Sequence, residues 1–110
     1  MIQVNHPQSV CRFGLASRDI TPPVGIYHRM WGAATHDRST GVHRPLRATA
    51  CVFASSTNPT DQQIVVAVDH CLLYRREMEF VLDRILPAVP VERDRLLIAC
   101  KCFLKSTHAR

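Results

Sequence analysis

The stretch that decides the fold runs from Ile64 to Cys100, "IVVAVDHCLLYRREMEFVLDRILPAVPVERDRLLIAC". It opens on a continuous apolar, largely β-branched run, Ile64–Val68, the signature of a strand covered on both faces. Asp69 and His70 end that run, and the period then changes from two to about 3.6. Leu73, Glu77, Phe80, Val81, Arg84 and Ile85 follow a helical spacing. Tyr74, Met78, Val81, Leu82 and Ile85 form the apolar stripe, with Arg75, Arg76, Glu79 and Asp83 outside it. Pro87 and Pro90 stop the helix, because proline lacks the N–H that the next turn needs. "RLLIAC", Arg95–Cys100, reads as a second buried strand. The pattern predicts strands near 64–69 and 95–100 around a helix near 72–86. Such a βαβ unit places its two strands parallel.

Upstream, "LRATACVFA" alternates Leu46, Ala48, Ala50 and Val52 against Arg47, Thr49, Cys51 and Phe53, as a strand near 46–54 does. "VCRFGLA", from Val10 to Ala16, is a shorter strand with Cys11, Phe13 and Leu15 on one face. Between them, "DITPPVG" (19–25) is a stiff turn: two prolines lack donors and Gly25 permits positive φ. The segment from Ile26 to Pro45 is rich in Gly, His and Arg and has no sustained period. A loop of that length in a compact domain is functional or irregular. "SSTNPTDQQ" is a polar turn. The expectation is an α/β fold with a mixed sheet, read as one partial domain spanning residues 1–110.

Length and composition bound the function. At 110 residues the chain holds at most one domain. With 46% hydrophobic and 21% charged residues it has the balance of a folded globular chain. No apolar run approaches the ~20 residues of a membrane span. "MIQVNHPQSVCRF" lacks the basic and apolar regions of a secretory signal, so a cytoplasmic setting is expected. Five cysteines at 11, 51, 71, 100 and 102 are an odd number without paired spacing, which favours reduced thiols. The net charge of +5 raises nucleic acid as a partner. The arginines are scattered, however, and the few aromatic residues follow no base-stacking pattern, so no nucleic-acid partner is expected.

In sheets with parallel strands, ligands gather outside the carboxyl ends of the strands. Asp69, His70 and Cys71 occupy that end of the first strand of the βαβ unit; Lys101 and Cys102 occupy it on the second. Asp69 with His70 has the chemistry of a general base or a metal ligand. Against that, Asp is a favoured helix cap and a helix follows at once, so the cap is the leading reading. Cys100, Cys102 and His108 carry donors that zinc prefers, and Cys100 and Cys102 share a strand face. No second Cys/His pair stands at finger-like spacing. His28, His36 and His43 are separated by eight and seven residues, a spacing that matches no standard ligand set, and read as solvated loop residues.

Taken in order, "RFGLASRDITPPVG", "GVHRPLRATACVF", "IVVAVDHCLLYRREMEFVLDRIL" and "RDRLLIAC" resemble the N-terminal part of the catalytic domain of the neutral/alkaline, non-lysosomal ceramidase family. The matching positions are Asp19, Thr21, Gly41, Leu46, Ala50 and Asp69. The resemblance implies a zinc amidohydrolase that cleaves ceramide-like lipid amides to sphingosine and fatty acid. The family's zinc is held by two histidines, a glutamate and a tyrosine, and activates a water. Its first ligand is the first histidine of a Thr-His-Thr-His-Ser-Gly-Pro motif directly after the strand matched by "RLLIAC". Here Lys101 stands against the motif's threonine and Cys102 against the ligand histidine, followed by Phe103, Leu104 and Lys105. Alternatively "KCFLKS" is an insertion, and Thr107-His108 is the remnant. Cys102 and His108 are therefore the two candidate metal residues, and the chain is expected to be truncated within its first zinc motif. It is expected to be inactive as it stands, to bind no zinc productively, and to self-associate through an unpaired sheet edge. The alternative is a small Cys/His metal-binding or interaction module.

Overall fold

The computed structural model describes residues 10–29, 34–70 and 73–100. Four strands and one helix follow in the order β1 (Cys11–Asp19), β2 (Arg47–Ser55), β3 (Gln62–Val68), α1 (Arg75–Ile85) and β4 (Leu96–Cys100). The strands form a single mixed sheet in the spatial order β1-β2-β3-β4. β1 and β2 are antiparallel, as are β2 and β3, whereas β3 and β4 are parallel. The βαβ unit is therefore present, and its register pairs Ile64 with Leu96 and Val68 with Cys100.

The apolar stripe of α1 explains why it lies on the sheet. Leu82 is buried with Ile64 and Leu96, and Met78, Ile85, Val52, Val66 and Ile98 pack around them. Each such side chain withdrawn from water contributes about 2 kcal/mol. The core is small: no side chain among the described residues is fully buried. At its carboxyl end the helix tightens into a 3-10 turn, Leu86–Ala88, containing Pro87. The chain then crosses a second short turn, Arg93–Arg95, into β4.

Two expectations about α1 require correction. The helix begins at Arg75, not near 72, and its N-cap is Tyr74 rather than Asp69. Glu77 accepts a hydrogen bond from the Tyr74 N–H, satisfying a backbone donor that the helix leaves unpaired. Asp69 is committed elsewhere, as shown below. Tyr74 is consequently 63% exposed and does not join the apolar stripe.

The pattern of β3 also asks for cover on both faces, and the described residues supply it on one. Ile64 and Val66 face α1, whereas Val65 and Ala67 alternate to the other side. The registers place Cys11, Phe13 and Leu15 of β1, Cys51 and Phe53 of β2, and Leu97 of β4 on that second side. Phe13 and Phe53 are direct cross-strand partners with ring centroids 5.2 Å apart. Phe13 remains 59% exposed and Leu97 55%. One face of the sheet is thus an open apolar surface.

Candidate functional site

The sheet ends where β1 and β3 finish and β2 begins, and short polar side chains lace the three together. Asp19 Oδ1 accepts the Thr21 N–H at 2.8 Å, so the chain turns tightly as it leaves β1. Thr21 Oγ1 in turn accepts the Leu46 N–H at 2.8 Å. The Ile20 N–H donates to the Leu46 carbonyl at 2.9 Å. On the other flank, the Asp69 N–H donates to the Arg47 carbonyl at 2.9 Å, and the Arg47 N–H donates to Asp69 Oδ2 at 3.0 Å. Asp69 therefore extends the β2–β3 ladder by one reciprocal pair. Its carboxylate is held by a strand amide, which is why it is absent from the helix terminus.

Electrostatics at this edge centre on Asp19. Its carboxyl is held below the ordinary aspartate value of 3.8, first by hydrogen bonding to the Thr21 side chain and backbone, and further by the Arg47 charge. Arg47 Nε donates to Ser17 Oγ at 2.9 Å, so its guanidinium is anchored toward β1.

The described residues of the segment without period, 26–29 and 34–45, lie as an arm over this edge. Gly25 turns the chain with φ 95°, a conformation that costs glycine little. The Gly25 N–H then reaches both the carbonyl (3.0 Å) and Oγ (2.9 Å) of Ser39. Tyr27 and Arg38 form an antiparallel bridge, flanked by His28 N–H to Asp37 carbonyl at 2.9 Å and Ser39 N–H to Ile26 carbonyl at 3.0 Å. Arg29 pairs with Asp37 at 2.9 Å across the arm. The His28 and His36 rings meet edge-on with centroids 4.9 Å apart.

Between arm and sheet edge lies a cavity of about 680 Å³. Pro22, Ile26, Val42, Pro45 and Leu46 give it an apolar lining. His28, His43, Arg44 and Asp69 add polar groups. A second cavity, of about 710 Å³, lies at the opposite end of the sheet beside Gln62 and the Arg95–Asp61 ion pair. No histidine or cysteine lines it. The first cavity stands at the carboxyl end of β3, where an α/β sheet presents ligands.

The sequence-derived candidates fall into three groups. Asp69, His28 and His43 are brought to this cavity. Cys100 ends β4 half-buried opposite Val68, on the helix-covered side of the sheet. Cys102 and His108, the two candidate metal residues, lie outside the described residues, as do Cys71 and Lys101. Among the described residues no three His, Cys, Asp or Glu side chains come together as a metal-holding group. The described residues do not by themselves make up a zinc ligand set, and Cys102 and His108 lie outside them. Ile26, Val42 and Pro45 were not singled out from the sequence. In the sequence they share their apolar character with Tyr27, Met30 and Trp31 of the same segment, and nothing there distinguishes them.

Of the positions that carry the ceramidase resemblance, Asp19, Thr21 and Leu46 are joined in one hydrogen-bonded chain, and Asp69 bonds the adjacent Arg47. Gly41 lines the cavity, and Ala50 sits in β2 between Ala16 and Val66. Among the described residues no helix is long and apolar enough to cross a membrane. Comparison of the chain with protein-family models, with curated proteins and with solved structures finds no match.

Proposed function

We propose that this chain forms the N-terminal part of a ceramidase-like zinc amidohydrolase catalytic domain and has no amidase activity by itself. The observation that carries the reading is the placement of the resembling motifs. Asp19, Thr21, Leu46 and Asp69, scattered over fifty residues of sequence, converge on one edge of the sheet. β4 runs parallel to β3 toward that same edge, with Cys100 level with Val68. A ligand-bearing segment directly after β4 would be delivered beside Asp69 and the cavity. Cys102 or His108 is then the position of the family's first zinc ligand. The remaining ligands belong to parts of the domain that these motifs do not include.

The physical logic is that of a platform. A strand carboxyl end holds one ligand rigidly, and a Lewis-acidic zinc needs several such ligands fixed together before it can lower a water's pKa. One ligand position on one strand cannot do this alone. The substrate class under this reading is a ceramide-like lipid amide.

The test is an amidase assay of the purified chain with added zinc and a fluorescent N-acyl sphingosine. No turnover above the buffer blank is expected. Robust zinc-dependent turnover, abolished by a chelator, would refute the claim that the chain is inactive alone.

A further inference from the structure

We propose that His28 and His36, which meet across the arm, form a two-histidine site for a late first-row divalent cation of the nickel or copper kind. This goes beyond the amidohydrolase reading, because both residues fall between the motifs that carry the resemblance.

The two rings come from opposite limbs of the arm. The bond from the His28 N–H to the Asp37 carbonyl (2.9 Å) and the Arg29–Asp37 ion pair hold those limbs side by side. Both histidines are exposed, so an ion reaches them from solvent. Their ring centroids stand 4.9 Å apart with the planes at 76°. An imidazole nitrogen about 2.0–2.1 Å from a divalent metal puts its ring centre about 3.2 Å from that metal, so two such rings at roughly 90–110° stand about 4.5–5.2 Å apart. The observed separation is that of a chelating pair. His36 is also held at its other nitrogen: Nδ1 lies 3.2 Å from Thr35 Oγ1. When Nδ1 donates there, Nε2 keeps its lone pair for a metal, the way ligating histidines are ordinarily oriented. The two arginines of these limbs are engaged elsewhere, Arg29 with Asp37 and Arg38 with the Gly25 carbonyl at 3.0 Å. Among the described residues no third His, Cys, Asp or Glu joins the pair, so water completes the shell of the ion. With only two protein ligands, affinity is greatest for nickel and copper, which stand highest in the first-row order and accept imidazole. Such an ion exchanges with solvent and is loaded by addition rather than retained through purification. Because His28 also lines the cavity, the bound ion ties the two limbs together beside it.

The experiment is a titration of the reduced full chain with Ni²⁺, followed by histidine ring and backbone amide NMR signals. Nickel is the probe because copper would oxidise the five cysteines. Saturable broadening centred on His28, His36 and the Asp37 amide is expected. Calorimetry should show this site weakened at least roughly ten-fold by His28→Gln and by His36→Gln, since even the outer partner of a metal ligand is worth that much. His36→Phe keeps a ring against His28 and should lose binding to the same degree, which separates metal ligation from ring packing. The double variant Cys102→Ser with His108→Ala removes the candidate residues of the zinc motif and should leave the nickel site unchanged. Broadening centred on any other histidine or on the cysteines would overturn the proposal. So would the absence of saturable binding, binding that survives His28→Gln and His36→Gln, or binding lost in the Cys102, His108 double variant. The nickel titration and the amidase assay have independent outcomes, so the two readings fail separately.

Discussion

Asp69 and Arg47 hold each other in both directions: the Asp69 N–H reaches the Arg47 carbonyl, and the Asp69 carboxylate receives the Arg47 N–H. A residue whose sequence context marks it as a helix cap thus acts as the last rung of a strand ladder. Asp69→Ala removes the carboxylate acceptor and leaves the Arg47 N–H to solvent. It should destabilise the domain by about 1 kcal/mol, read as a lower urea midpoint at unchanged slope. Asp69→Asn keeps an acceptor oxygen and should recover most of the loss. Helix content by circular dichroism should not change in either variant, because Asp69 is not the cap.

Asp19 makes a pH prediction. Its carboxyl is depressed below 3.8 by the Thr21 hydrogen bonds and then by Arg47. A depressed folded value means the ionised form is favoured by folding. The stabilisation is therefore complete above the unfolded value and is lost as pH falls through the lower folded one. In a carboxyl-detected NMR titration Asp19 should titrate below the ordinary aspartate value of 3.8. Thr21→Val should move it back toward 3.8, and Asp19→Asn should flatten the acid limb of stability.

The core prediction concerns α1. Leu82 is buried against Ile64 and Leu96, whereas Tyr74 is exposed at the cap. Leu82→Ala should cost about 3 kcal/mol, a large share of the stability of a domain with so small a core. Tyr74→Ala should stay within about 0.5 kcal/mol. Thermal melts of the two variants rank the sites directly.

This contrast shows where the sequence was legible. The short, β-branched Ile64–Val68 run and the short "RLLIAC" run flank a Met78–Leu82–Ile85 spacing that fits a helix, so the βαβ unit could be read from the three together. The alternation in Leu46–Phe53 likewise gave β2 and its faces. The N-terminus of α1 is not legible in the sequence because an aspartate satisfies a strand amide as readily as a helix amide. Nothing local tells which donor it meets. The arm defeated periodicity for another reason: Tyr27 and Arg38 pair through a single bridge, too short to impose alternation. The cavity beside it is lined by Ile26 and Val42 together with Pro22 and Leu46, residues far apart in sequence that no local period relates.

The open sheet face leads to a further expectation. Phe13, Leu15, Phe53 and Leu97 form an exposed apolar surface, and among the described residues β4 is an edge strand with no pairing on its outer side. Sedimentation velocity should show concentration-dependent association of the chain. The double variant Phe13→Lys with Leu97→Lys should reduce it several-fold if the face drives it. Unchanged association in that variant would assign it to the β4 edge instead.

Metal content separates the amidohydrolase reading from the small metal-module alternative. After purification without chelator, far less than one zinc per chain is expected, with no change in Cys102→Ser or His108→Ala. One tightly bound zinc per chain, lost in Cys102→Ser, would instead favour the module.

The most direct test of the ceramidase-like reading is the nucleotide sequence beyond the codon for Arg110. One of the three reading frames there should encode Thr-His-Thr-His-Ser-Gly-Pro near this point and continue into a long α/β coding segment. A downstream sequence with neither the motif nor such a segment in any frame would contradict it.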